Sequence, residues 1–162
     1  LKLLEDGLIS FEQNKLTLMH GDLCASNILT DNRNGTIKLI DPRGGLDTLF
    51  KSKNNIAGDF RYDVAKLGHS LIGNYDYIVT GFYNLKIHKN TFNFDFSLHH
   101  KSKTFIENYY YYKVEEIGLD KKFINASIVN LFLSMLPLHS DDQNRQIALL
   151  LNAYKLFYDK FL

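Results

Sequence analysis

Cysteine is almost absent from this sequence: among 162 residues, Cys24 alone carries a thiol. One cysteine makes neither a disulfide framework nor a cysteine-based zinc site. Net charge is nearly absent as well, with 19 basic against 18 acidic residues and a formal charge of +1. That balance gives no electrostatic case for nucleic acid or an anionic membrane as a partner. Long apolar runs are lacking too. The longest nearly apolar stretch, Leu131 to Leu138, falls far short of the roughly 20 residues that cross a bilayer. No secretory signal pattern opens the chain, so the expected location is cytoplasmic. What is present is the balance of a folded protein, 45% hydrophobic and 23% charged, at the length of one ordinary domain. Leu1 opens inside an apolar pattern, and the chain reads as a piece of a longer protein.

The apolar spacing orders the elements. Leu1, Leu4, Leu8 and Phe11 recur at helical spacing over residues 1–12. Leu16 to Met19 is a short strand leading into His20-Gly21-Asp22. Asn27 to Thr30 and Thr36 to Ile40 form a hairpin around Asn34-Gly35, a strong turn signal. Pro42 and Gly44-Gly45 carry the chain off the second strand into a polar loop over 45–59. From Asp63, an N-cap or first-turn acid, Val64, Leu67, Leu71 and Ile72 share a helical face. Gly73-Asn74 interrupts that helix, and Tyr75 to Leu85 is expected to resume it. Thr91 to Ser97 alternates as a half-buried strand, with His99 and His100 at its surface end rather than as a ligand pair. Helices are expected over 103–117, 121–136 and 141–161. Tyr109 to Tyr112 reads as helix with aromatics on two faces. His139, Asp141 and Asp142 read as a helix cap in the turn after Pro137, with a substrate-binding role as the alternative. The fold class is α+β, mostly helical, with one small hairpin.

Chemistry concentrates in His20-Gly21-Asp22-Leu23-Cys24-Ala25-Ser26-Asn27, followed 14 residues later by Asp41. Asp22 and Asn27 flank a tight loop, and the hairpin returns Asp41 to where Asn27 left. Two hard oxygen ligands and a further carboxylate thus converge. Mg²⁺ takes only one or two protein oxygens when phosphates and water complete its shell. Asn27 and Asp41 suit that task, and Asp22 is left to orient or deprotonate a hydroxyl. Cys24 lies in the same loop without a basic neighbour to activate it.

A His-x-Asp, four residues and Asn, then a metal-binding Asp, is the catalytic-loop pattern of protein kinases. Gly21 in place of Arg, and Pro42-Arg43-Gly44 in place of Phe-Gly, depart from it. The chain instead resembles the aminoglycoside phosphotransferase and choline kinase family, small-molecule kinases of the same fold. Leu18 to Asp22, Asn27-Ile28-Leu29 and Leu39-Ile40-Asp41 carry the resemblance, with Gly58-Asp59-Phe60-Arg61-Tyr62-Asp63-Val64 as a second element. It covers residues 15–72 well and the remainder by helical character.

The resemblance implies a protein-kinase-like fold, of which residues 1–162 are the C-terminal lobe. It implies transfer of the ATP γ-phosphoryl group to a hydroxyl of a sugar, amino alcohol or aminoglycoside. Related bacterial sequences often belong to capsule or surface-polysaccharide pathways, so the resemblance implies such a pathway as one setting for this chain. Asp22 is then the catalytic base, Asn27 and Asp41 hold Mg²⁺, and His20 and Asp63 support the loop. Arg43 stays open between a phosphate or substrate contact and an ion pair with Asp59 or Asp63. The implied partners are the hydroxyl acceptor and an N-terminal nucleotide lobe of the same protein, since no Gly-rich loop or phosphate-binding Lys precedes residue 15. A non-catalytic binding module of this fold and a kinase acting on protein are the alternatives.

Overall fold

A computed structural model describes Lys2 and residues 17–44, 56–96 and 100–162. The helix expected over 1–12 and most of the loop expected over 45–59 lie outside the described residues. What is described is a mixed α+β domain in which three small two-stranded sheets accompany a helical core.

Strand β1 (Thr17–Leu18) pairs antiparallel with β4 (Ala57–Gly58), and Met19 N donates to Ile56 O at 2.9 Å. This short ladder brings the chain after residue 58 back to the loop after residue 19. Strands β2 (Ile28–Asp31) and β3 (Thr36–Leu39) form the expected hairpin, in register from Ile28 opposite Leu39 to Asp31 opposite Thr36. Its turn is shaped by Asp31, whose carboxylate accepts from Arg33 N at 2.9 Å and Asn34 Nδ2 at 2.8 Å. At the base, Ile40 N donates to Asn27 O at 3.0 Å, which puts Ile40 opposite Asn27, one residue before Asp41.

Helix α1 (Phe60–Leu71) begins earlier than the apolar pattern implies. Asp59 is its cap, accepting from Arg61 N, and Asp63 sits in the first turn. The apolar face reaches the core as expected, with Ile72 buried in it and Val64 and Leu71 packed against it, but polar residues of the helix are buried as well. Asp63, Lys66, His69 and Ser70 are buried, whereas Val64, Leu67 and Leu71 are half-buried. Side-chain partners, described below, make burial of Asp63, Lys66 and Ser70 tolerable. Gly68 lets the helix approach its neighbours, since a Cβ there would meet Tyr110 and Ile128.

After the break at Asn74, which adopts φ 56°, helix α2 spans only Tyr75–Val79. The helix expected to Leu85 is therefore corrected. Gly81 turns the chain at φ 79°, and β5 (Asn84–His88) pairs with β6 (Thr91–Asp95). The physical reason is that an isolated strand over 91–95 would leave its backbone groups unpaired, and the preceding segment supplies the ladder. The strand is also less buried than expected: Phe94 packs toward the core, while Phe92 is exposed. His100 opens helix α3 (His100–Glu116) instead of ending a strand, and His99 lies outside the described residues.

Helix α3 has the two-sided aromatic run, with Tyr110 buried and Tyr109 and Tyr112 exposed. Helix α4 (Lys121–Met135) is capped by Asp120, and Pro137 falls in a 3₁₀ turn, Leu136–His139. Helix α5 (Gln143–Phe161) is capped by Asp142, which accepts from Arg145 N at 3.0 Å. Helix α4 packs between α1 and α5, and Ile124, Ile128, Phe132 and Leu149 form the centre of the core. Among the described residues no helix is long and apolar enough to cross a membrane.

Candidate active site

The loop from His20 to Asn27 is held from two sides. On one side, His20 O accepts from Arg43 N at 2.7 Å and Gly44 N at 3.0 Å. The His20 ring adds to this, with Nε2 2.9 Å from Ile40 O and Nδ1 accepting from Asp22 N at 3.3 Å, the pattern of an Nε2–H tautomer. Gly21 fits this crossing because it adopts φ 79° and has no Cβ, which would run into Gly44 O. The Arg that protein kinases carry at that point has no room here.

On the other side lies helix α1. The Asp63 carboxylate accepts from His20 N at 2.6 Å and from Gly21 N at 2.8 Å. Ser70 Oγ accepts from Ala25 N at 3.0 Å and donates to the Asp76 carboxylate. Between these two, Lys66 Nζ lies 3.2 Å from Asp22 Oδ1. Residues 63, 66 and 70 follow helical spacing, so one face of α1 meets the loop at successive points.

Asp22 is far more enclosed than Asp41, its side chain 14% exposed. Its second oxygen, Oδ2, lies 3.2 Å from Arg43 Nε, and Arg43 Nη2 lies 3.9 Å from Asp41 Oδ2. One guanidinium thus spans Asp22 and Asp41. The alternatives for Arg43 that named Asp59 or Asp63 are corrected: Asp59 pairs with Arg61, and Asp63 is taken by backbone amides. Arg43 is 68% exposed, and Asp41 is 67% exposed. Asp41 adopts φ 56°, a left-handed conformation that Asp tolerates better than most residues. Asn27 Nδ2 donates to Asp22 O at 2.9 Å, which ties the loop and leaves its side-chain carbonyl as a lone-pair donor. Cys24 is buried beside Ser26, with Sγ 3.2 Å from Oγ.

These donors fit a small hard cation. Among the described residues no group of three His, Cys, Asp or Glu side chains is placed to hold a metal by itself. Mg²⁺ in a phosphate site asks for less, one or two protein oxygens, and Asn27 with Asp41 offers an amide carbonyl and an exposed carboxylate.

A polar cluster extends beyond Asp22. Lys66 Nζ lies 5.4 Å from the Tyr75 ring centroid, and Tyr75 Oη lies 3.2 Å from His139 Nε2. Burial, then the Asp22 carboxylate, raises the Tyr75 phenol above its ordinary value. His139 Nδ1 is 3.4 Å from Arg145 Nη1, and Arg145 also pairs with Asp141 and Asp142. His69 is fully buried between the rings of Tyr75 and Phe132, at 4.4 and 4.0 Å. Among the described residues neither of its ring nitrogens has a hydrogen-bond partner. Burial, then the charge of Lys66 and His139, holds it well below the ordinary imidazole range.

Sequence reasoning missed Lys66 and Ser70. The available signal was a set of polar residues at helical spacing after Asp63, but the apolar set at 64, 67 and 71 drew the face the other way. In comparison with known proteins, the chain matches no family model, no curated protein and no solved structure.

Proposed function

We propose that this chain is the catalytic lobe of an ATP-dependent phosphotransferase that phosphorylates a hydroxyl of a small molecule. The observation that carries the reading is the convergence of Asp22, Asn27 and Asp41. An enclosed carboxylate lies one guanidinium away from an exposed carboxylate, with an amide oxygen at the base of the same hairpin. Asp22 receives the acceptor hydroxyl as general base, at hydrogen-bond range of a substrate entering past Arg43. Asn27 and Asp41 would hold Mg²⁺, which supplies charge neutralisation on the ATP phosphates. His20 and Asp63 fix the loop, so that Asp22 meets the acceptor without rearrangement. Arg43, exposed and shared between two acids, moves to the incoming phosphate.

The hairpin gives the nucleotide lobe a place to dock. Leu29, Ile37 and Leu39 are exposed apolar residues on β2 and β3, next to the proposed metal ligands. In this reading they lie under the nucleotide and the N-terminal lobe. The second reading, a binding module without catalysis, is favoured by the occupation of both Asp22 oxygens by cations.

A Mg²⁺ titration of nucleotide affinity in the full-length protein tests the assignment. Asp41→Ala should abolish Mg²⁺-dependent binding, and Asn27→Ala should weaken it less, because a neutral amide is the poorer ligand. Mg²⁺-dependent nucleotide binding unchanged by Asp41→Ala would remove the proposed metal site.

A further inference from the structure

We infer that Lys66 is a positioning residue for Asp22, an inference that rests on the phosphotransfer reading and deepens it. The two cations on Asp22 are unlike. Arg43 lies on an exposed loop, 68% accessible, and an exposed pair of that kind is weak and exchangeable. Lys66 is 4% exposed and projects from the middle of α1, so its ammonium cannot swing into water. Its Nζ lies 3.2 Å from Asp22 Oδ1, and the Tyr75 ring face lies 5.4 Å away. Among the described residues Asp22 is the one carboxylate within ion-pair range of it. Removing either member of such a pair leaves the other charge enclosed and uncompensated.

The neighbours on the same helix face strengthen the assignment. Asp63 fixes the backbone on the N-terminal side of Asp22, and Ser70 fixes it at Ala25. Lys66 stands between them and acts on the side chain itself. Backbone and carboxylate of the loop are thus referenced to one rigid helix.

The consequence is a division of labour between the two oxygens of Asp22. Oδ1 is tied to α1 through Lys66. Oδ2 faces Arg43 and becomes available when Arg43 turns to the phosphate. The acceptor hydroxyl then gives its proton to Oδ2 while its oxygen bonds to the γ-phosphorus. The bond from that phosphorus to the bridging oxygen breaks and ADP leaves. Without Lys66 the carboxylate loses its fixed rotamer, and misplacement of about 1 Å costs on the order of 10²-fold in rate.

The test uses the full-length protein and steady-state phosphate release from Mg²⁺-ATP, with water as acceptor. Lys66→Met should lower kcat by about 10²-fold while KM for ATP stays within about threefold, and Lys66→Arg should recover most of the loss. A Lys66→Met enzyme with kcat near wild type overturns the role. So does a loss confined to KM, which would make Lys66 a nucleotide-binding group instead. A wild type that turns over no ATP with water or with any amino alcohol, sugar or aminoglycoside overturns the phosphotransfer reading itself, and the positioning role falls with it. If Lys66→Met does not fold, the ¹⁵N resonance of the Lys66 ammonium decides. A resonance protected from exchange and shifted by Asp22→Asn supports the role; one indistinguishable from surface lysines overturns it.

Discussion

Helices α1 and α4 pack against each other, and α1 buries a polar face in addition to the small apolar residues, Ala65 and Gly68, that it places in the core or against α4. Helix α4 buries Ile124, Ile128 and Phe132, an apolar stripe at helical spacing. Helix α1 buries Asp63, Lys66 and Ser70 at the same spacing. The stripe on α4 is held by removal of apolar area from water, a non-directional effect that tolerates exchanges of similar volume. The face of α1 is held by specific partners, and a substitution that removes one partner strands the other. The comparison separates two jobs: α4 stabilises the domain, and α1 carries the geometry of the loop.

Substitutions should break the two helices in different ways. The largest effect on stability is expected at Phe132, fully buried against His69 and Gly73. Phe132→Ala should cost about 3–5 kcal/mol in denaturant melts. Asp63→Ala should cost less, about 2–4 kcal/mol, because two backbone amides lose their acceptor. Its effect on phosphate transfer should nevertheless exceed that of Phe132→Ala, measured under conditions where both variants are folded. Equal losses of activity would show that α1 has no special hold on the loop.

Gly68→Ala sharpens the comparison at the contact itself. In an exposed helix the change would stabilise by up to about 1 kcal/mol. Here the new Cβ meets Tyr110 and Ile128, so a loss of about 1–3 kcal/mol is expected. A rise in melting temperature would mean that α1 sits farther from α3 and α4 than described.

The smallest effect is set by pH. His69 is buried neutral, with its folded-state pKa held well below 6.5. Below 6.5 the unfolded chain binds a proton that the folded chain does not, so stability present at neutral pH is lost as pH falls toward the folded-state value. The loss from His69 should therefore appear as pH falls below 6.5 and grow as pH falls further toward the folded-state value. His139 is lowered too, by burial first and Arg145 second, and adds in the same direction. The check is the pH dependence of thermal melts of His69→Phe against the parent chain. An identical slope would assign the loss to other groups.

The hairpin and the helical core were legible in the sequence because their signals are local. Asn34-Gly35 sets the turn, and the hairpin register then returns Ile40 to Asn27, one residue before Asp41. The β5–β6 hairpin was half legible. Tyr75, Ile78, Val79 and Phe82 suit a continuing helix, and only pairing with β6 turns the segment after Gly81 into strand. The polar part of the buried face of α1 was not legible, although its apolar part, ending in Ile72, was. Lys66 and Ser70 look like solvated residues until the β1–β4 ladder folds the loop against them. Burial of a charge is decided by a partner remote in sequence, and periodicity carries no information about that partner.

Asp22 is proposed as the base of Mg²⁺-ATP phosphotransfer. The most direct test of that role is ATP consumption by the full-length protein against amino alcohols, sugars and aminoglycosides, for wild type and Asp22→Asn together. Mg²⁺-dependent turnover is expected with at least one hydroxyl acceptor, lowered by roughly 10²- to 10⁴-fold in Asp22→Asn while nucleotide binding survives. Turnover of Asp22→Asn within a few-fold of wild type, or no turnover of wild type with any acceptor, would contradict that role.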